Sequence, residues 1–417
     1  MENLELELEK NRQTEIVEPY KLPAGWKWCK QSEVCKLVDG EKIADKEYPY
    51  LEVKYLRGTK EKSFVTSGKL IKKGTKVILV DGENSGEVFA IHEDGYMGST
   101  FKALSIENVD ENYLQYFITT KKDLYRNNKK GSAIPHLNKD LFKNMPFPLP
   151  PTLAEQQRIV NRIETMFAKL DHAQKKAQSV LDSFETRKAA ILHKAFTGEL
   201  TANWRKENGV ADDSWKIVKL EDIVKKEKYS LKAGPFGSAL KKEFYVPYGY
   251  KIYGQEQVLN SDENYGDYFI NEAKYKELES CKIAPNDILI SLVGTVGKTL
   301  ILSDNCKPGI INPRLIKLSL DLTLMLPQFF TYYFGSDYCK SRYMTVQHGT
   351  TMDVLNMGIL KQLDYPCCSL PEQQEIVRIL DSILEKESRA KEAAQTVLDQ
   401  IALLKKSILA RAFRGEL

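Results

Sequence analysis

Glu155-Gln156-Gln157-Arg158-Ile159-Val160 returns later in the chain as Glu372-Gln373-Gln374-Glu375-Ile376-Val377, and Ala195-Phe196-Thr197-Gly198-Glu199-Leu200 returns as Ala412-Phe413-Arg414-Gly415-Glu416-Leu417. The offset is 217 residues in both cases, so nothing is gained or lost between the two motifs. The likeness extends upstream, where GSAIPHLN at 131–138 matches GTTMDVLN at 349–356 at an offset of 218. Self-similarity on this scale means two copies of one module. Two related modules suit a task performed twice, at two related places on one partner.

Between the motifs the apolar residues step by four and three. The first copy gives Ile159, Ile163, Met166, Leu170, Ala173, Ala177, Val180, Phe184 and Ile191. The second gives Ile376, Leu380, Ile383, Ala390, Ala394, Val397, Ile401, Leu404 and Ile408. A stripe sustained this long is a coiled-coil seam, better matched by another helix than by a sheet. Each run of about 42 residues makes a rod of ~60 Å, and the obvious partner for each is the other copy. Gly198 and Gly415 suit left-handed C-terminal caps. Thr152 and Ser369, with Glu155 and Glu372 three residues on, have the capping-box pattern. Two positions weaken the stripe. Glu387 stands where Leu170 stands in the first copy, and Arg187 also falls on the seam, so both are expected to face solvent or a partner protein.

The stretches before the helices are rich in β-branched and aromatic residues and in turn signals. Val77-Ile78-Leu79-Val80 and Asp287-Ile288-Leu289-Ile290-Ser291 read as buried strands, each followed by a glycine-bearing loop. Leu114–Ile118 and Gln328–Tyr333 read as matched amphipathic helices. Trp215-Lys216 echoes Trp26-Lys27, so the second domain begins as the first does. The fold class is therefore α/β: two similar domains, an internal repeat, joined by two long helices that are expected to pair with each other. The expected division is an extension over 1–20, a domain over 21–151, a helix over 152–199, a linker over 200–214, a second domain over 215–370 and a second helix over 371–417.

The 417 residues carry 61 Lys and Arg against 57 Asp and Glu, a net charge of +4 that neither demands nor excludes a nucleic acid. Local clusters matter more, among them Lys69, Lys72, Lys73 and Lys76 in the first half and Lys225, Lys226 and Lys228 in the second. A lone cluster of this kind is more often a solvated face than a phosphate track. The seven cysteines form no CxxC pair and the five histidines are scattered, which argues against a zinc site and for reduced thiols. No apolar run approaches the ~20 residues of a membrane span, and the acidic start MENLELELEK has no signal core. A cytoplasmic location and no membrane partner are expected.

Catalytic motifs fail on spacing. Gly294-Thr295-Val296-Gly297-Lys298-Thr299 has two residues between its glycines where a phosphate-wrapping loop needs four. Asp81–His92 ends on a histidine where a calcium loop needs a bidentate glutamate. Glu52-Val53-Lys54 has the Glu-x-Lys spacing of a nuclease but no Pro-Asp pair before it. Asn312-Pro313-Arg314 is not the Asn-Pro-Pro-Tyr of an amino-methyltransferase, and there is neither a glycine-rich methyl-donor loop nor a Gly-x-Ser-x-Gly elbow. The chain is expected to be non-catalytic.

Pro148–Gln157 (PLPPTLAEQQ), Ser369–Gln374 (SLPEQQ), both Ala-Phe-x-Gly-Glu-Leu motifs and Leu200–Arg205 (LTANWR) resemble the conserved regions of type I restriction–modification DNA specificity subunits. Gly234-Pro235-Phe236-Gly237-Ser238 and Asp287–Lys298 resemble the second target-recognition domain of that family. The resemblance implies that each domain reads one half of a bipartite, asymmetric site on double-stranded DNA. It implies that the helices pair as an antiparallel coiled coil, relate the domains by a pseudo-twofold, set the gap and dock two methyltransferase subunits, with restriction and translocase subunits joining the full complex. S-adenosylmethionine, ATP and Mg would then reside on those partners, with no cofactor in this chain. Phosphate contacts come from lysines and backbone amides, and base readout from Arg, Asn, Gln and Ser on loops. The candidates in domain one are Lys54, Arg57, Lys60, Asn84, Ser85, Thr100, Lys102, Lys130 and Ser132. Those in domain two are Lys232, Gly234, Phe236, Ser238, Lys241, Thr295, Lys298, Arg314, Thr350 and Thr351. Ordinary turn chemistry accounts for the Gly-Ser and Gly-Thr loops equally well. Other readings are a stand-alone sequence-specific DNA-binding protein, the specificity part of a type IIB-like enzyme, a nuclease or fused restriction–modification chain, and a coiled-coil scaffold with no DNA role, against which the basic, glycine-rich loops of both domains argue.

Overall fold

Val77, Ile78 and Leu79 are consecutive apolar residues, as are Ile288, Leu289 and Ile290, and all six are buried. A strand apolar on both faces must be covered on both, and these two lie inside the sheets that organise the two domains. The structure is a computed structural model and describes residues 18–130, 135–292, 296–345 and 355–417.

In domain one the organising strands are β1 (Cys35–Val38), β2 (Tyr48–Leu51), β3 (Lys76–Leu79), β4 (Val88–Ala90), β5 (Gly95–Met97) and β6 (Phe101–Ile106). In domain two they are β7 (Leu231–Ala233), β8 (Tyr250–Tyr253), β9 (Ile288–Ser291), β10 (Thr299–Ile301), β11 (Gly309–Ile311) and β12 (Leu315–Leu318). Domain one has an antiparallel sheet in the order β1-β6-β3-β4, and domain two repeats it as β7-β12-β9-β10. Each domain also holds one parallel pair in a second sheet. Leu51 lies beside Met97 where β2 meets β5, and Tyr253 beside Ile311 where β8 meets β11. A two-stranded ribbon starts and closes each domain, Lys27–Lys30 with Pro146–Leu149 and Lys216–Val218 with Tyr365–Cys367. Trp26-Lys27 and Trp215-Lys216 thus open equivalent ribbons, as their likeness suggests. The two domains share one α/β topology.

The expected helices are Leu153–Phe196 and Leu370–Phe413, 44 residues each. Gly198 and Gly415 follow them with φ of 80° and 73°, the left-handed region that glycine enters without a Cβ clash. The capping boxes form only in part. The Thr152 hydroxyl accepts the Glu155 N–H at 3.2 Å, but the Glu155 carboxylate turns to Arg158 and that of Glu372 turns into the domain.

The chain divides into two compact units that cut both helices near their middles. One takes in the chain up to Gln178 together with Gln395–Leu417, and the other is Ser179–Ala394. In the first, Ile159, Val160 and Ile163 of helix one and Leu409, Ala412 and Phe413 of helix two enter the core of domain one. In the second, Ile376 and Leu380 of helix two and Leu192 and Ala195 of helix one enter the core of domain two. Each helix therefore packs its start on its own domain and its terminal Ala-Phe motif on the other. Phe413 lies 5.0 Å from Tyr113 and 5.4 Å from Phe117, ring centre to ring centre. Phe196 lies 5.3 Å from Phe329 and 5.2 Å from Tyr333.

Within each unit the helix halves run antiparallel. In one, Lys405 Nζ lies 2.5 Å from Asp171 and Arg158 Nη2 donates to the Leu417 carbonyl at 2.9 Å. In the other, Arg187 Nη2 lies 2.7 Å from Glu387 and the Lys391 ammonium sits 4.4 Å above the Phe184 ring. Arg187 and Glu387, expected to face outward, thus answer each other across the seam.

Six of the nine residues read as the seam of helix two lie on it, and three do not. Ile376, Leu380, Ala394 and Ile401 are buried and Ile383 and Ile408 half-buried, but Ala390 is exposed, Val397 is 38% exposed and Leu404 49%. Leu398 and Lys405, both half-buried, stand beside Val397 and Leu404 on that side, and the exposed Lys391 reaches over the Phe184 ring. Lysine stems cover apolar surface while their ammonium groups reach solvent or lie over a ring, and a count of apolar residues passes over them. In helix one Ile159, Ile163 and Ala177 are buried, and Met166, Leu170, Ala173, Val180 and Phe184 are half-buried.

Candidate nucleic-acid interface

The glutamines of the repeated motif have one structural task. Gln156 Oε1 accepts the N–H of Asp110, the residue that caps the domain-one helix Glu111–Thr120, at 2.7 Å. Gln373 Oε1 accepts the N–H of Leu326, which caps the equivalent helix Pro327–Phe334, at 2.9 Å. Orphan N–H groups at a helix start need such partners. Asn138 and Asn356, the last residues of the upstream match, cap the short helices Lys139–Asn144 and Met357–Gln362. These repeated residues therefore hold the scaffold, and surface chemistry has to come from the loops.

At the carboxyl ends of β2 and β5 the chain turns into a short helix, Val53–Leu56. Lys54 on it, and Arg57 and Lys60 after it, are exposed, and Thr100 is half-buried beyond β5. Arg57 pairs with Glu87 and Lys60 with Glu52. Lys102 on β6 lies 2.6 Å from Asp39, and hydrogen bonds from Lys102 and Lys69 lower that carboxyl to about 2. Lys130 lies 2.6 Å from Asp140. Exposed pairs like these are worth ~0–1 kcal/mol each, so a phosphate could take over such cations at small cost. Asn84 is half-buried in the turn between β3 and β4, where its carbonyl accepts the Glu87 N–H. Ser85 is fully buried there with its hydroxyl unpartnered, which corrects its expected surface role.

Domain two places Phe236 at the surface, 76% exposed, with Ser238 and Lys241 exposed nearby in the chain. Lys241 lies 3.6 Å from Glu243. Lys232 is half-buried, its ammonium 5.7 Å above the Tyr229 ring. Lys298 is exposed on the turn that leads into β10. Gly234 is buried, and a Cβ there would stand 1.8 Å from the Asn312 carbonyl oxygen. Its requirement is close backbone approach, not an exposed contact. Arg314 is exposed beyond β11, on a turn where Asn312 Oδ1 accepts the Arg314 N–H at 2.9 Å. Ser132, Thr295, Thr350 and Thr351 lie outside the described residues.

Sequence reasoning missed several polar residues. Gln255 follows β8, donates to Ser291 Oγ at 2.9 Å and accepts from Arg314 at 3.4 Å. Lys251 is buried and donates to the carbonyls of Asn264, Tyr265 and Gly266 at 2.9–3.2 Å, which pins the acidic loop after residue 260. Asp287 is buried, and burial raises its pKa although Ser319 and the Ala284 N–H bond it. A lysine or aspartate inside a strand pattern, with nothing to mark its partner, was the only signal. Among the described residues no group of three His, Cys, Asp or Glu could hold a metal, and no helix is long and apolar enough to cross a membrane.

Residues 23–181 and 212–396 match the type I restriction modification DNA specificity domain. The chain is 27% identical to the type I restriction enzyme MjaVIII specificity subunit of Methanocaldococcus jannaschii, over 95% of this chain and 94% of that one. It is 23% identical to the StySPI specificity subunit of Salmonella potsdam, over 95% and 90%. The fold is shared with a chain of a type I R-M system solved in work on its complex assembly and conformational transition. That likeness has a TM-score of 0.71 and 18% identity and covers 96% of this chain and 100% of that one. The HsdS subunit of Thermoanaerobacter tengcongensis follows, at TM-score 0.58, 19% identity, 96% and 99%. With two copies of the family's domain spanning most of its length, each in the domain-then-helix order of the repeat, the chain belongs to the type I restriction–modification specificity subunits.

Proposed function

We propose that this chain gives a type I restriction–modification complex its DNA sequence specificity. Each domain reads one half of a bipartite, asymmetric site, and the paired helices set the gap between the halves and dock two methyltransferase subunits. The observation that carries the reading is the exchange of helix ends. Phe196 packs on domain two and Phe413 on domain one, so each recognition domain is built on both helices. Half-site spacing then depends on protein geometry, as in other two-part DNA readers. The exposed lysines and arginines are the sequence-independent phosphate contacts. The chain itself is non-catalytic. S-adenosylmethionine, ATP and Mg belong to partner subunits, with the restriction and translocase subunits completing the assembly in the cytoplasm.

The test is modified-base sequencing of DNA from cells that express this chain with its methyltransferase subunit, compared with cells lacking only this chain. The expected result is a new two-part methylated motif with a fixed gap. Inserting four residues into either helix, about 6 Å of rise, should change the gap or abolish methylation while leaving each half-site as it was. An assembled complex that produces no motif would favour a stand-alone DNA-binding protein.

A further inference from the structure

The turn Asn312-Pro313-Arg314 is held from several sides. Asn312 N–H donates to the Tyr253 carbonyl at the end of β8, 2.8 Å away. Asn312 Oδ1 accepts the N–H of Arg314 at 2.9 Å, and the Arg314 carbonyl accepts the N–H of Leu292 at 3.0 Å. Two glycines leave room for it. A Cβ on Gly234 would meet the Asn312 carbonyl at 1.8 Å, and one on Gly254 would meet its side-chain amide at 2.6 Å. The Arg314 side chain is exposed, and its Nη1 reaches Gln255 Oε1 at 3.4 Å. Gln255 is anchored in turn, its amide donating to the hydroxyl of Ser291 at 2.9 Å. Ser291 is fully buried at the end of the central strand β9. A planar cation on a fixed turn, steadied by an amide that is itself tied to the core, loses little freedom on binding. Such preorganisation favours geometric recognition over simple charge neutralisation.

The equivalent place in domain one is built differently. Thr100 follows β5 where Arg314 follows β11, its carbonyl accepting the Val80 N–H as that of Arg314 accepts Leu292. Val53 stands after β2 where Gln255 stands after β8 with one residue between. With Thr100 and Val53 at the equivalent positions, domain one does not repeat the relay of hydroxyl, amide and guanidinium at this place.

We infer that Arg314 is a specificity-determining residue of domain two that reads a guanine edge in the major groove, with Gln255 as its positioning residue. This rests on the proposal that domain two reads a half-site. A guanidinium presents two parallel N–H donors that match guanine O6 and N7, whereas an ammonium offers only a point charge.

The experiment takes the assembled complex of the chain with its methyltransferase subunits and compares wild type with Arg314→Lys, Arg314→Ala and Gln255→Ala by modified-base sequencing. Wild type should give a two-part motif with a guanine in one half. Both Arg314 variants should relax that one position and leave the other half unchanged, with discrimination against the wrong base falling roughly 10- to 100-fold. Gln255→Ala should relax the same position less. In a binding competition, 7-deazaguanine at that position should weaken wild type and leave Arg314→Ala indifferent. A motif that survives unaltered in Arg314→Lys and Arg314→Ala, or loses strength equally at every position, overturns the inference and leaves the proposed function standing. A wild-type complex that yields no two-part motif overturns both.

Discussion

Glu155 and Glu372 stand at the same place in the two copies and do different things. Glu155 lies at the surface and pairs with Arg158 one helical turn on, at 2.8 Å. Glu372 is fully buried, and its Oε1 takes three donors: Thr201 Oγ1 and Arg205 Nη1, each at 2.7 Å, and Trp215 Nε1 at 3.0 Å. Those donors come from the linker after helix one and the start of domain two. Residue identity in a repeat therefore fixes a place on the helix, while the energetic role is set by what the fold brings against it. In the second copy the glutamate ties helix two to the linker, and Arg205, 7% exposed, has little water to turn to if the carboxylate is removed.

The largest expected effect tests that contrast directly. Glu372→Ala should destabilise unit two by roughly 3 kcal/mol, because it takes from a buried guanidinium its one buried carboxylate and leaves it only the exposed Asp212, 3.3 Å from Nε. Glu155→Ala should cost no more than ~1 kcal/mol, as for other exposed pairs. Chemical denaturation of the two variants reads the difference, and equal losses would break the comparison. A smaller difference is expected between the glutamines one residue on. Gln373 makes three bonds, adding the Leu324 and Cys368 carbonyls at 2.8 Å each to the Leu326 N–H, whereas Gln156 is described with the Asp110 N–H. Losing a buried partner costs ~1–3 kcal/mol, so Gln373→Ala should fall at the upper end of that range and Gln156→Ala at the lower, by the same denaturation measurement.

The smallest effect concerns pH, and its sign differs between the domains. Asp39 in domain one is lowered from 3.8 to about 2 by its bonds to Lys102 and Lys69. Its contribution is present above the unfolded value and is lost as pH falls toward about 2. Asp287 in domain two is raised from 3.8 by burial. Its contribution is fully present below the unfolded value and is lost as pH rises through the raised one. Stability followed against pH should therefore gain from Asp39 and lose from Asp287 over their respective windows. Asp39→Asn should flatten the first slope and Asp287→Asn the second.

Much of the scaffold was legible because it depends on pattern. The repeat offset, both long helices and their terminal glycines follow from spacing and from the one residue type that enters the left-handed region freely. The buried strands around Ile78 and Leu289 follow from unbroken apolar runs. Most of the seam of helix two was legible, but Ala390, Val397 and Leu404 lie off it, while Lys391 and Lys405 reach over Phe184 and Phe167 and no hydrophobic count includes a lysine. Arg187 and Glu387 each looked like a flaw in a stripe, because their pairing depends on which residues face each other across two helices. The candidate interface was harder still. Ser85 and Gly234 lie in stretches that look like exposed loops, yet a buried turn and a close backbone approach need the same residue types. Gln255 gave no signal of its own, since its position matters only once β8 and β11 end side by side.

The division of the chain also has a consequence for the order in which the protein is made. Unit two, Ser179–Ala394, is one unbroken stretch, whereas unit one needs Gln395–Leu417 to close over residues that precede Gln178. During synthesis, Tyr113 and Phe117 leave the ribosome long before Phe413 arrives to cover them. The stretch between is roughly 300 residues, about 15 to 60 s at ~5–20 residues per second. The domain synthesised first is thus the last to be finished. For that interval Tyr113 and Phe117 lack the Phe413 ring that packs on them in the finished protein.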